Sequence, residues 1–374
     1  MMTTLVGARR GADDPASPPR RSRKLGGRLP KFIGVVAGAA AILLVAAGPA
    51  AAATSTQVAS GLTSPLGILQ LPANDGQTHV WVSDHLNGVC RLDPSASTPG
   101  QLTLNQSTCV LFIGRSALKP GQLSYDSINQ RIYAPDLAAK SVGVIRFGYD
   151  PSADSGRGGL SIFDRTVIVS NCGLDRDVPW ASALGPDGDL YLAFKKSPSI
   201  TRVRKPATVA GTSSNCAQDV QTIGNAADGK KAFQLAFLGH DLWEADNFAL
   251  GLIPDAVAAA RPAGTTINDG VTTRTFTTAT PPVNATAQFV GSIPSPTAIT
   301  ADSARSLLYV GNANAVYTIN LAPGGGTVAL IATGFSFVGS ISADAIATPP
   351  TLLVGDDTSN GTFPNAGRLW RITP

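Results

Sequence analysis

The segment Val80-Trp81-Val82-Ser83-Asp84 decides the fold, because five other segments repeat its pattern. Each copy has an aliphatic residue, usually an aromatic residue, an apolar third position in all but one copy, a small residue, and usually Asp or Asn. The other copies are IYAPD (132–136), LYLAF (190–194), LWEAD (242–246), LYVGN (308–312) and LLVGD (352–356). Their fifth positions are 52, 58, 52, 66 and 44 residues apart. This spacing suits six repeats of one four-stranded unit.

The sequence around each copy also repeats. A short apolar strand and a turn come before it, and a strand that usually stops at Pro comes after it, as in Cys90-Arg91-Leu92-Asp93-Pro94. A fourth apolar run follows in five units, at 110–114, 167–169, 220–224, 289–291 and 328–334. Four short strands per repeat, separated by turns, predict an all-β fold, namely a six-bladed β-propeller.

The sixth unit has only three predicted strands before the sequence ends. The segment Gln57–Leu62 looks like a fourth strand without a blade of its own. We therefore expect the N-terminal strand to complete the last blade and close the ring, which leaves no open edge between the first and last units.

Composition supports the all-β prediction. Of the 25 acidic residues 24 are Asp and only Glu244 is Glu, and Lys occurs nine times against twenty Arg. A chain with so little Glu and Lys has few exposed helix surfaces. The formal charge of +4 belongs to the leader, since residues 1–31 carry +6 and the rest carries −2. The remainder therefore has no electrostatic footprint for nucleic acid.

The N-terminal segment predicts export. Basic residues precede an apolar run at 32–47, and small residues follow up to Ala53, which is the order of a secretory signal with cleavage near 51–53. We expect a leader over 1–53, a single propeller domain over 54–374, and a secreted or periplasmic cell-envelope location. The alternative is an uncleaved membrane anchor, since the apolar segment approaches spanning length. Arg20-Arg21 resembles a twin-arginine signal, but Arg23-Lys24 stand where a hydrophobic residue is expected.

The four cysteines are Cys90, Cys109, Cys172 and Cys216. An even number in an exported chain predicts disulfides, and sequence order favours Cys90 with Cys109 and Cys172 with Cys216, although three pairings are possible. No C-x-x-C spacing occurs, so zinc and thioredoxin-like sites are not indicated.

The repeated strand, with Ser64-Pro65-Leu66-Gly67-Ile68 before its first copy, resembles the blades of NHL-repeat and gluconolactonase-like propellers. The resemblance covers nearly all of the predicted domain and implies a divalent cation, the one candidate cofactor, held in the central channel by acidic and Asn side chains. The corresponding positions are Leu66, Gln122, Trp180, Gln234, Thr297 and Ser340. None is a carboxylate, which a hard cation usually needs.

The fifth positions and the turns after them are expected on one face of the ring, where they form a polar rim. Its predicted ligand-binding residues are Asp84, His85, Asn87, Asp136, Asp246, Asn247, Asn312 and Asp356, with Lys140, Lys195, Lys196, Asn314 and Asp357 beside them. Such a rim suits a small molecule, a glycan or a protein partner. The competing interpretation is that each Asp or Asn accepts hydrogen bonds from its own turn.

Glu244 breaks the repeat, because it stands at the third position, where the other copies are apolar. A carboxyl group placed in an apolar slot has a raised pKa, which makes Glu244 a candidate catalytic acid or base, and nearby His240 is the other candidate proton-transfer group. The alternative is an irregular fourth blade in which Glu244 faces solvent or pairs with Arg.

Two functions follow from these features. One is an exported scaffold that binds a ligand or protein on its rim. The other is a metal-dependent hydrolase, lactonase or lyase in the channel, with Asp84, His85, Asp246 and Asp356 as candidate ligands. The Thr-, Ala- and Pro-rich stretch at 254–285 accounts for the 66-residue step and is expected to form an elaborated outer hairpin or loop, which either covers the channel or offers a partner surface.

Overall fold

The computed structural model describes residues 53–110, 112–113, 116–117, 119–137, 143–168, 177–206, 219–323, 326–344, 350–357 and 366–373. These residues form six four-stranded antiparallel sheets in a ring, which is a six-bladed β-propeller. The sequence-based fold is confirmed. The predicted leader lies outside the described residues except for Ala53, and so do Lys140, Cys172 and Cys216.

The first three blades follow the order predicted from the repeat, from the channel outward. Blade 1 contains β2 (Ile68–Pro72), β3 (Thr78–Asp84), β4 (Gly88–Pro94) and β5 (Leu102–Leu104). Blade 2 contains β8 (Ser124–Asp126), β9 (Arg131–Pro135), β10 (Val144–Asp150) and β11 (Gly159–Ile168). Blade 3 contains β12 (Pro179–Leu184), β13 (Leu190–Phe194), β14 (Ser199–Val203) and β15 (Val220–Asn225).

The other three blades repeat this order, and the last one is shared between the two ends of the chain. Blade 4 contains β16 (Gln234–Leu238), β17 (Asp241–Ala245), β18 (Leu250–Ile253) and β21 (Thr286–Gln288). Blade 5 contains β22 (Ala298–Asp302), β23 (Leu307–Gly311), β24 (Ala315–Asn320) and β25 (Thr327–Thr333). Blade 6 contains β26 (Val338–Asp344), β27 (Thr351–Asp356), β28 (Gly367–Thr373) and β1 (Thr54–Leu62).

Strand β1 closes the ring as predicted. It pairs antiparallel with β28, from Thr54 opposite Thr373 to Leu62 opposite Gly367. Val58 and Leu62 are buried beside Leu353 and Leu369 of the same blade and Val82 of blade 1. The N-terminal strand therefore covers the edge of blade 6 and joins the apolar contact between the last blade and the first.

The repeated strand forms the second strand of each blade, and its two faces pack against different neighbours. Trp81 packs on the blade 2 side with Ile132 and Phe147, whereas Val82 packs on the blade 6 side with Leu369. Because successive side chains of a strand point to opposite faces, the alternating pattern buries both faces between adjacent blades.

The prediction that residues 110–114 form the fourth strand of blade 1 was wrong. Its outer strand is β5, and Val110 forms only an isolated bridge with Val89. A disulfide joins Cys90 and Cys109, as sequence order predicted. It holds Val110 beside the start of β4, while the end of β4 pairs with β5. Two short strands, β6 (Phe112–Ile113) and β7 (Ser116–Ala117), instead pair with each other in a separate antiparallel sheet. In blade 4 the fourth strand likewise ends just before the expected run at 289–291.

The 254–285 stretch forms an outer hairpin, as expected, and lines neither the channel nor the upper cavity. It contains the hairpin of β19 (Thr266–Asn268) and β20 (Thr273–Thr275), and its end lies along the outer strand of blade 3. There the Val283 N–H donates to the Ile223 carbonyl and the Ala285 N–H to the Asn225 carbonyl. The segment therefore protects the outer edge of blade 3.

Helix is almost absent from the described residues. It is limited to a single turn, α1 (Ala153–Gly156), and a short 3-10 turn at Gln106–Thr108. No described helix is long and apolar enough to cross a membrane.

Candidate functional site

The turns after the second strands and the connections that enter the first strands lie at the same end of the blades, which we call the upper face. Their contacts explain the recurrent acidic fifth position. Asp84 is fully buried, and its Oδ1 accepts the N–H groups of Leu86 and Asn87, both at 2.8 Å. Its Oδ2 accepts the Thr63 N–H at 2.7 Å. Asp84 thus fixes its own turn and the incoming connection.

Other predicted rim residues have the same structural role. Asp356 Oδ1 accepts the N–H groups of Ser336 and Phe337 at 2.8 and 2.9 Å. Asp136 Oδ1 accepts the Lys119 N–H at 3.1 Å. The side chains of Asp84, Asp136 and Asp356 are therefore buried in backbone contacts, which supports the interpretation that they stabilise turns.

Asn312 and Asp246 accept hydrogen bonds from their own turns in the same way. Asn312 Oδ1 accepts the Asn314 and Ala315 N–H groups, and its amide donates to the Pro294 carbonyl. Asp246 Oδ1 accepts the N–H groups of Phe248 and Ala249. Asn247 has a left-handed backbone (φ 71°) and lies in the same turn. The Asn87 amide donates to Asp84 at 3.1 Å.

The upper face contains a cavity of about 510 Å³ at the centre of the ring. This volume falls within the range of about 300–1,000 Å³ typical of small-molecule sites. The residues that line it come from five of the six blades and from the connections between them, and they are Ser64, Leu66, His85, Lys119, Leu137, Trp180, Lys195, Phe233, Phe337 and Asp357. Of the predicted ligand-binding residues of the rim, only His85 lines this cavity, and of the residues named beside them Lys195 and Asp357 do.

Aromatic rings and ammonium groups lie together on one wall of the cavity. The Trp180 and Phe233 rings pack edge to face, with their centroids 5.4 Å apart. The Nζ atoms of Lys195 and Lys231 each lie 5.4 Å from the Trp180 centroid, and Lys231 Nζ is 4.7 Å from the Phe233 centroid. Burial, followed by the nearby charge of Lys195, lowers the pKa of Lys231. Two like charges are therefore held close to one aromatic ring.

The cation pair has no acidic partner in the described part of the chain. Neither Lys195 nor Lys231 forms an ion pair with a described carboxylate, whereas the buried acids of this face are occupied by turn contacts. Five of the six described lysines, including Lys119, Lys196 and Lys230, lie on this face. Lysines therefore gather on the upper face, beside the buried carboxyl groups of Asp84, Asp136, Asp246, Asp356 and Asp357.

His85 forms part of the opposite wall of the cavity. Burial lowers the pKa of His85, and the nearby charge of Lys119 lowers it further, whereas Asp357 and Asp84 oppose this shift. The imidazole is therefore neutral at neutral pH. Its Nε2 is buried and has no hydrogen-bond partner among the described residues. Ser64, next to it in the cavity wall, donates its hydroxyl to Asp357 at 2.9 Å and has a left-handed backbone (φ 47°). Such strain is found at functional sites.

Glu244 lies buried between blades 3 and 4 and does not face solvent. Its Oε1 accepts the Ala227 N–H at 2.9 Å, and its Oε2 has no partner among the described residues. Burial raises the pKa of Glu244 to about 8, with smaller contributions from Asp246 and Asp228. A side chain at Gly251 on the neighbouring strand would collide with this carboxyl group, so the glycine provides the space that Glu244 occupies.

The structure does not bring His240 and Glu244 together. His240 precedes β17 at the lower end of the blade, and its Nε2 lies 2.8 Å from Asp269 Oδ2 of the β19–β20 hairpin. Four residues along a strand separate two Cα atoms by about 13 Å. The pair therefore lacks the proximity that joint acid–base chemistry requires.

Two glutamine side chains cross the central channel. Gln234 donates to the carbonyls of Leu66 and Gly339 at 3.0 and 2.7 Å and accepts the Ile299 N–H at 3.0 Å. Gln122 donates to the Leu235 carbonyl and accepts the Leu235 N–H. Together these amides connect five blades across the axis. They separate the upper cavity from a second one, of about 260 Å³, between the inner strands.

The positions expected to hold a channel metal do not fit one. The Gln122 and Gln234 amides are satisfied by the backbone, and the hydroxyls of Thr297 and Ser340 donate to the carbonyls of Val338 and Pro65, both at 2.6 Å. Leu66 and Trp180 offer no oxygen ligand in their side chains. Among the described residues, no three His, Cys, Asp or Glu side chains converge as a metal site, and Asp84, His85, Asp246 and Asp356 belong to three different blades.

The sequence did not single out Lys119, Lys231, Phe233 or Phe337 as site residues. They lie in the connections between blades, which have no repeated pattern. A usable signal was the pairing of lysines with aromatic residues, since Phe194 precedes Lys195-Lys196 and Phe233 follows Lys230-Lys231 by one residue.

The fold and the upper cavity define this protein as a six-bladed β-propeller with a cavity of small-molecule size on its upper face. No family model and no curated protein sequence matches the chain. It is similar in structure to a carbohydrate-active enzyme of family AA12 from Trichoderma reesei (TM-score 0.54, 14% identity, covering 87% of this chain and 96% of that one). It is also similar to a luciferin-regenerating enzyme (0.52, 11%, 86% and 95%) and to a gluconolactonase from Xanthomonas campestris (0.50, 12%, 86% and 89%). At these identities the similarity shows the fold alone.

Proposed function

We propose that this chain is an exported ligand-binding propeller whose upper cavity holds an anionic ligand of sugar size. The observation that carries the proposal is that the Nζ atoms of Lys195 and Lys231 each lie 5.4 Å from the centroid of the Trp180 ring. Neither lysine forms an ion pair with a described carboxylate. Bringing two ammonium groups together costs free energy, which a bound anion would offset.

The chemistry of the wall favours a sugar acid. A pyranose ring has apolar C–H faces that pack on the Trp180 and Phe233 rings, and a carboxylate on its edge would reach the ammonium groups. Leu66 lines the cavity, and its carbonyl accepts the Gln234 amide that crosses the channel axis. A pyranose ring with a carboxylate on its edge uses both the aromatic rings and the ammonium groups.

The metal-dependent hydrolase, lactonase or lyase is the weaker alternative. Its candidate ligands do not fit a divalent cation, so no reaction step through a metal is derived. The neutral imidazole of His85 in the cavity wall is the one feature that favours catalysis, because a neutral imidazole can accept a proton.

Calorimetric titration with galacturonate and with galactose tests the proposal, since the two sugars differ in one carboxylate. We expect galacturonate to bind at least tenfold more tightly, because a hydrogen bond to a charged group contributes roughly 1.5–3 kcal/mol. Lys195→Gln and Lys231→Gln should each remove most of this preference. Lys205→Gln, at the far end of blade 3, is the matched control and should bind as wild type does. Equal affinity for both sugars, or none for either, would refute the proposal.

A further inference from the structure

The upper cavity continues outward into a second cavity of about 420 Å³ over blade 4. Lys195 and Phe233 line both cavities, so the two are contiguous. The outer cavity adds Lys196, Lys230 and Phe248 to the same surface. An open groove therefore runs from the centre of the ring toward its rim.

The outer cavity repeats the chemistry of the inner one. Lys230 Nζ lies 3.3 Å from the centroid of the Phe248 ring and 3.7 Å from Asp228 Oδ2, with which it forms an ion pair. Phe248 is 58% exposed, which is unusual for a large apolar side chain. In the inner cavity Lys195 lies beside Trp180, and Lys231, which lines the outer cavity, lies 5.4 Å from the centroid of the same ring. Aromatic rings with adjacent ammonium groups thus occur at two places along one groove.

The turn holds Phe248 in this position. Its N–H donates to the buried Asp246 at 2.8 Å, and the preceding Asn247 has a left-handed backbone and donates to the Pro296 carbonyl at 2.7 Å. The aromatic ring is therefore presented outward by a fixed turn, and its exposure does not result from a loose segment.

We infer that the ligand is a linear acidic oligosaccharide, with one uronate unit at Trp180 and a later unit at Phe248. This inference rests on the proposed function and extends it from a single sugar acid to a chain. A repeated sugar acid matches a repeated pairing of aromatic ring and ammonium group, because each unit offers an apolar face and a carboxylate. An acidic peptide fits less well, since the groove is walled by side chains and turns and presents no strand edge for main-chain pairing.

The test is a titration of the full chain with galacturonate oligomers of one, three and six units. We expect affinity to rise more than tenfold from monomer to hexamer. Phe248→Ala should abolish most of this gain and leave monomer affinity within twofold of wild type. Leu86→Ala is the control, because Leu86 is 49% exposed on the same face but lines neither cavity.

The outcomes separate the inference from the function on which it rests. Monomer binding with no gain for longer oligomers, or a gain that survives Phe248→Ala, overturns the extended groove and leaves the proposed function intact. A hexaglutamate peptide that binds as tightly as the hexamer, with the same dependence on Phe248, overturns the assignment to a glycan. Absence of binding by every oligomer overturns both.

Discussion

At the scale of single residues, Glu244 shows what an exception to a repeat can mean. Its place in an apolar position was visible in the sequence and predicted a raised pKa, and the structure agrees. The sequence did not show where the carboxyl group points. Gly251 and the Ala227 N–H, which form its pocket, come from a neighbouring strand and a connection whose contacts depend on the fold.

Glu244 should make stability depend on pH. Its pKa is about 8 in the folded protein and about 4.5 when unfolded, so the folded state holds the proton in that interval. The stabilising contribution of the protonated group is complete below about pH 4.5 and is lost as the pH rises through 8. The free energy of unfolding should fall by up to about 1.4 kcal/mol per pH unit in that window.

Glu244→Gln should remove this dependence, because the amide keeps the acceptor for the Ala227 N–H and does not ionise. Urea unfolding between pH 4.5 and 9 measures the effect. We expect the variant to match wild type near pH 4.5, to exceed it increasingly between about pH 5 and 8, and to keep a constant advantage above that range. Parallel profiles for the two proteins would show that Glu244 does not hold a proton in the folded state.

At the scale of elements, the 254–285 segment packs against blade 3 and is held there by buried ion pairs and hydrogen bonds. Arg261 is almost fully buried, forms an ion pair with Asp187, and lies 2.8 Å from Asp189 Oδ2. Both acids belong to the turn between the first two strands of blade 3. The fully buried Arg202 donates to the Ala259 carbonyl at 2.7 Å from the same blade. Buried charges are therefore compensated across the contact.

Arg261→Ala should destabilise the protein by about 3–5 kcal/mol at neutral pH, because it leaves buried carboxylates without their partner. Burial and Asp189 already raise the pKa of Asp187 to about 6, so protonation should reduce the loss near pH 5. Arg274→Ala, in the same segment, is the control. Its pair with Asp255 is partly exposed and should contribute at most about 1 kcal/mol. Equal losses in the free energy of unfolding for the two variants, measured by urea unfolding, would contradict a stabilising role for the buried contacts of Arg261.

Elements differ in how far their sequence foretells them. The second strands were predictable, because both of their faces are buried and each position repeats across blades. The outer strands were less predictable. Strand β5 has only three residues. The more apolar run that begins at Val110 does not form the outer strand, because the Cys90–Cys109 disulfide holds it beside the start of β4. Short outer strands carry little pattern, so a covalent link can decide which segment pairs.

At the scale of the whole molecule, ring closure and the site follow from different kinds of information. Closure by β1 could be predicted by counting strands per repeat. The upper cavity could not, because Lys119 and Phe233, which lie 114 residues apart, belong to connections that share no pattern. The ring brings these connections to one centre. The repeats thus specify the propeller fold, and the connections, which do not repeat, supply many of the residues that line the cavity.

The central claim is that the upper cavity binds a sugar acid between Trp180 and the two lysines. A crystal structure of the chain grown with trigalacturonate tests it most directly. We predict a uronate ring against the Trp180 indole, with its carboxylate within hydrogen-bonding distance of Lys195 and Lys231. A ligand bound in the lower cavity or outside the groove, or an upper cavity without ligand at saturating concentration, would contradict the claim.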